Sequence, residues 1–259
     1  MSPAKLRSLS SKFPWLDVVA LLAWGGLLLK FWLTGQLGLL IHPNYFGLVF
    51  ASGIVLLLLG VLKAGQLLKA PGTEVGHISL LPPGWGSGLL AVTAILGFVI
   101  TPSVLSSQAA VQRGITELPM TRTQPQSFRA TTQPEERSLI EWIRTLNVYP
   151  EPDAYAGQKA NVTGFVVHSP KLSDNYLLLC RFVITCCAVD AYPVGIPVKL
   201  DVSRSTYAPD TWLTVAGEMI TETLPQTDSM SDTISNKRQL VLSASRVETV
   251  PTPANPYEY

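Results

Sequence analysis

Apolar residues crowd the first 105 positions of the chain, whereas beyond position 150 they alternate with polar ones. The crowding falls into three runs: "WLDVVALLAWGGLLLKFWL" at 15–33, "YFGLVFASGIVLLLLGVL" at 45–62 and "WGSGLLAVTAILGFVITPSVL" at 85–105. At about 1.5 Å of rise per helical residue, each run approaches the roughly 30 Å hydrocarbon core of a bilayer. The second and third carry no charge, and the first holds Asp17 and Lys30 near its ends, where side chains reach the interface. Trp15, Trp32, Tyr45 and Trp85 also lie at run ends, where amphipathic rings favour the membrane surface. The pattern predicts three membrane spans. The first run exceeds the apolar region of a signal peptide and no A-x-A site follows it, so it reads as an uncleaved anchor.

Residues 106–134 lack apolar periodicity, are rich in Ser, Thr, Gln and Pro, and read as a linker. In "PEERSLIEWIRTLNV" the apolar Leu139, Ile140, Trp142, Ile143 and Leu146 fall near helical spacing. Glu135 and Glu136 are placed in its first turn, where carboxylates suit the helix dipole. Five β-like segments follow at 159–169, 175–187, 196–202, 211–221 and 239–250. Gly164 and Gly217 sit inside the first and fourth, which suits sharply bent strands. The expected fold is therefore a three-span helical membrane region (1–105), a linker, and a small all-β domain with a leading helix (135–250). An OB-like five-stranded barrel is the preferred version of that domain, with a small sandwich as its rival. The tail 251–259, "PTPANPYEY", reads as a loose end.

Charge divides the chain in the same place. Six Lys/Arg and two Asp/Glu precede residue 106, and thirteen and sixteen follow it. This asymmetry fits a membrane-embedded half joined to a water-soluble half. The near-neutral total of +1 offers no footprint for nucleic acid. Lys5, Arg7 and Lys12 precede the first run, the 34–44 loop has no Lys or Arg, and Lys63 and Lys69 follow the second run. Cytoplasmic loops collect such residues, so the soluble half is expected outside the cytoplasmic membrane. Gly25, Gly26, Gly60, Gly88 and Gly97 are small residues that would let the helices pack closely.

The chemistry concentrates in "RFVITCCAVDAYP" at 181–193. Were 180–187 a regular strand, Cys180 and Cys186 would share the core face and Cys187 the outer one. Cys180 then reads as a buried small hydrophobe. The adjacent Cys186 and Cys187 admit three readings: a metal site with Asp190 and His168, a redox or ligand-contact site, or a purely structural role. Asp174 adds a further carboxylate, an Arg181–Asp190 ion pair is a local alternative, and His42 and His77 read as lone interfacial residues. No G-x-S-x-G, phosphate-cradling Gly loop, H-E-x-x-H or Rossmann fingerprint is present, so no enzyme is expected.

The string "RFVITCCAVDAYPVG", preceded by "NYLLLC" and followed by "DTWLTVAGEM", resembles the C-terminal domain of a family of bacterial membrane proteins (YcgQ-like). "IHPNY" and "TPSVLSSQAAVQRGI" extend the resemblance over nearly the whole chain. It implies the smaller subunit of a two-part permease complex, beside a larger polytopic partner. The motif falls on Arg181, Cys186, Cys187, Asp190, Pro193 and Gly195. Some relatives carry a His-rich loop between the second and third spans. Here that loop has only His77, which speaks against metal transport. The expected function is an accessory subunit of a transport complex, with a membrane-anchored metal or thiol sensor as the alternative and a transition metal ion as its cofactor.

Overall fold

The computed structural model describes residues 14–69, 84–115, 133–227 and 234–259. His77 and the basic residues before position 13 lie outside them. The chain divides into two compact units, Met1–Ser103 and Val104–Tyr259.

Among the described residues the first unit holds three α-helices: α1 (Pro14–Leu33), α2 (Phe46–Lys69) and α3 (Trp85–Val99). α1 and α2 are long and apolar enough to cross a membrane. α3 is shorter than the expected span at 85–105, with fifteen residues. Pro102 explains the stop, because it disfavours helical backbone in the residue before it, and Ile100 has already turned extended. A Cβ on Gly60 would lie 2.7 Å from Leu22, and one on Gly97 would lie 2.6 Å from Leu27, so backbones meet side chains closely there. Gly25 approaches Leu57 and the Gly53 carbonyl in the same way. Gly88 does not share this role, for nothing lies within 4 Å of it. His42 caps a short turn, its Nδ1 accepting the Asn44 N–H at 3.1 Å.

The second unit is a six-stranded mixed sheet: β1 (Lys159–Val167), β2 (Tyr176–Val183), β3 (Tyr192–Lys199), β4 (Trp212–Thr227), β5 (Ile234–Val250) and β6 (Tyr257–Glu258). Its order is β1-β4-β5-β3-β2-β6, with β1 also pairing β2. β3–β5 and β2–β6 are parallel, and the other pairs are antiparallel. Gly217 sits at the register shift in β4, where any Cβ would collide with the Ser243 carbonyl. That close approach lets the strand bend.

The helix α5 (Leu139–Val148) covers this sheet. Ser138 caps it, its Oγ accepting the Glu141 N–H while the Glu141 carboxylate accepts the Ser138 N–H. Glu135 and Glu136 are not in its first turn as expected. They form a separate 3₁₀ turn, because the serine cap sets the helix start later. Leu139, Trp142 and Ile143 are buried among Val162, Leu177, Val198, Leu213 and Leu242. Each such side chain contributes about 1.5–3 kcal/mol on leaving water.

Three further expectations change. Part of the supposed linker folds as α4 (Ser107–Arg113), capped by Ser106 and closed at Gly114 with φ 77°. Seven residues are too few to show a period, yet Ala110 is fully buried. The tail is not loose: Tyr257 is 2 % exposed, and Glu258 pairs with Val183. β2 stops at Val183 rather than continuing to 187, and β3 starts at Tyr192, ahead of the expected 196.

Candidate functional site

The loop between β2 and β3 is anchored by buried residues at both ends, Ile184 and Ala191. Between them the chain turns so that Asp190 folds back on Thr185, Cys186 and Cys187. Its Oδ2 accepts the Thr185 hydroxyl at 2.6 Å and the Cys186 N–H at 2.9 Å. Its Oδ1 accepts the Cys187 N–H at 3.1 Å, and the Asp190 N–H donates to the Cys187 carbonyl at 3.1 Å. One carboxylate thus satisfies the backbone of a turn that no sheet partner could satisfy.

Arg113, at the end of α4, closes the loop from outside by donating to the Ala188 carbonyl at 3.1 Å and also to the Ala191 carbonyl. No apolar period marks Arg113, because it lies in the stretch 106–134 that has the composition of a linker.

Cys186 is exposed and Cys187 half-buried, and both are free thiols with sulfurs 3.7 Å apart. The two sulfurs and an Asp190 oxygen all lie within 4.8 Å of one another. Asp190 accepts from the Cys186 thiol, and this, with the Cys187 contact, pushes that thiol up to about 12. Partial burial pushes Asp190 up, but hydrogen bonds from Cys186, Thr185 and the two N–H groups outweigh it and hold the carboxyl at about 2. At neutral pH the loop therefore carries a charged carboxylate beside a protonated thiol at Cys186. In proton-free form the cluster offers two soft sulfur donors and one hard oxygen donor to a cation.

The remaining motif residues lie elsewhere. His168 does not join the cluster: its Nε2 bonds the Tyr207 carbonyl at 2.8 Å, on the far side of the β2 hairpin. The Arg181–Asp190 pair does not form, because Arg181 instead contacts Glu258 at 3.0 Å and donates to the Asn255 carbonyl at 2.6 Å. Asp174 lies 3.9 Å from Arg204. Cys180 is fully buried, and that burial pushes its thiol strongly upward. Pro193 and Gly195 pair with Phe182 and Cys180 in the β2–β3 ladder and serve the sheet rather than the loop.

Residues 16–116 match the DUF1980 N-terminal domain, and residues 121–259 match the DUF1980 C-terminal domain. No curated protein and no solved structure matches the chain.

Proposed function

The chain belongs to the DUF1980 family, and from that premise we propose that it is an accessory subunit of a membrane transport complex, in which an extracytoplasmic domain presents the Cys-Cys-x-x-Asp loop to a ligand. The observation that carries this reading is one chain joining two membrane-length apolar helices to an exposed loop where two thiols and a carboxylate converge.

In this reading α3 also inserts into the bilayer, making three spans. Leu89, Val92, Ile95, Leu96 and Val99 are each about half exposed or more, an apolar face that suits lipid or a second membrane subunit. Three spans, with the positive charge before α1 and after α2, support an extracytoplasmic second unit. The strand circuit β1-β4-β5-β3-β2, returning to β1, supports an OB-like barrel, with β6 as an added edge strand. A resemblance to YcgQ-like permease subunits supports a larger polytopic partner.

The test is purification of the tagged full-length chain from membranes in mild detergent. A polytopic protein recovered in stoichiometric amount, and lost when the exposed Val92 and Val99 of α3 are changed to tryptophan, supports the reading. A chain that purifies alone, at the mass of one protein, contradicts it.

The second reading is a thiol- or metal-responsive sensor. The same loop favours it, since a vicinal thiol pair can change state without a transport partner.

A further inference from the structure

We infer that Cys186, Cys187 and Asp190 form an exchangeable site for a thiophilic divalent cation of the zinc class, held by both sulfurs and Oδ1 of Asp190 with one coordination position open. This deepens the transport reading by naming the class of ligand, and it rests on that reading only for what the ion is for.

The sulfur spacing carries the argument. Zinc–sulfur bonds of about 2.3 Å at a tetrahedral angle put two sulfurs about 3.8 Å apart. The loop already holds them at 3.7 Å. A disulfide would need about 2.05 Å, and a two-coordinate ion with sulfurs opposite one another would need about 4.6 Å at the same bond length. The sulfur spacing therefore fits a tetrahedral ion and neither alternative, and the Asp190 oxygen, within 4.8 Å of both sulfurs, is near enough to close on the ion as a third donor.

The carboxylate is prepared for the same task. Each oxygen of an ionised carboxylate offers about two lone-pair sites. Oδ2 is filled by the Thr185 hydroxyl and the Cys186 N–H. Oδ1 takes one backbone N–H, from Cys187, and the carboxylate's remaining position, which accepts from the Cys186 thiol, comes free for a cation when that thiol gives up its proton. These hydrogen bonds fix the carboxylate in place, as outer partners of metal ligands do. Binding releases the two thiol protons to solvent and leaves an M(S⁻)₂(OOC⁻) centre of net charge −1, with Asp190 as its third protein ligand.

Three protein donors leave a fourth position for water or for a donor of an incoming partner, the open arrangement of sites that exchange ligands. Cys186 is exposed, and Val189 at the loop tip is 87 % exposed, so a partner can reach the ion. Such a site suits handing an ion on better than burying it.

The test uses the reduced full-length protein in detergent micelles, titrated with Co²⁺ and separately with Cd²⁺. The expected result is one ion per chain, a sulfur-to-metal charge-transfer band with both ions, and intense tetrahedral visible bands with Co²⁺. Cys186→Ser and Cys187→Ser should each abolish the charge-transfer signal of the pair, while Cys180→Ser leaves it intact. Asp190→Asn should weaken binding by about tenfold or more. Unchanged thermal melting of the two serine variants would show that they fold. Absence of a band, a band that survives both serine substitutions, or a weak octahedral Co²⁺ spectrum would overturn the inference. None of these outcomes bears on whether a polytopic partner copurifies, so the transport reading fails or stands separately.

Discussion

Cys180 and Gly195 face one another across the β2–β3 ladder and share a single volume: a Cβ on Gly195 would lie 2.5 Å from the Cys180 sulfur. The thiol thus has a packing role, and the glycine opposite it is required by that role.

Gly195→Ala is therefore expected to destabilise the second unit by about 1–3 kcal/mol, the usual cost of overpacking. In a Cys180→Ala background the same change should cost much less, because the colliding sulfur is gone. A double-mutant cycle read by chemical denaturation measures the coupling. Additive effects would mean that the two side chains do not compete for space.

Tyr257 is buried, its ring sits edge-on to Phe182 at 6.4 Å, and its hydroxyl accepts the Leu105 N–H at 2.9 Å. Tyr257→Phe should cost about 1 kcal/mol for the lost acceptor. Tyr257→Ala should cost about 3 kcal/mol or more for the cavity. Thermal melts of the two variants separate the contributions, and a Tyr257→Ala protein as stable as the parent would show that β6 is not part of the fold.

Burial holds the Glu258 carboxyl above the ordinary range, outweighing the Arg181 guanidinium at 3.0 Å and the more distant Arg144. A carboxyl raised in the folded state contributes stability below its unfolded value, near 4.5, and that contribution is lost as pH rises through the folded value. Glu258→Gln should flatten this part of the stability profile just above pH 4.5. Melting temperatures of the two proteins across that window check it, and parallel profiles would refute it.

The capping box makes a fourth case. Ser138→Ala removes the acceptor for the Glu141 N–H and should cost about 1 kcal/mol. Ser138→Asp should recover most of it, because aspartate also caps well. Circular dichroism during denaturation reads both.

Much of this architecture was legible in advance where periodicity carried it. The apolar runs that became α1 and α2 needed no partner to be recognised, and the stripe of Leu139, Trp142 and Ile143 marked α5 as a helix with a face to bury. Elements decided by distant contacts were not legible. β6 has two residues and exists because Phe182 and Val183 offer it an edge. α4 shows no period, and its Arg113 gains a role only when the β2–β3 loop folds against it. Within the site, Cys186, Cys187 and Asp190 could be grouped by their closeness in sequence. His168 could not be excluded in that way, since its distance from the loop depends on how the hairpin turns.

In the proposed transport subunit the loop of Cys186 and Cys187 faces the outside of the cytoplasmic membrane and is open to ligand there. The direct measurement is labelling with a membrane-impermeant maleimide on spheroplasts, in a Cys180→Ser background, with reductant and chelator present. Labelling of sealed spheroplasts, abolished by further replacing Cys186 and Cys187 with serine, is the expected result. Labelling that begins only after the membrane is permeabilised would place the loop on the other side or hide it, and would contradict the account.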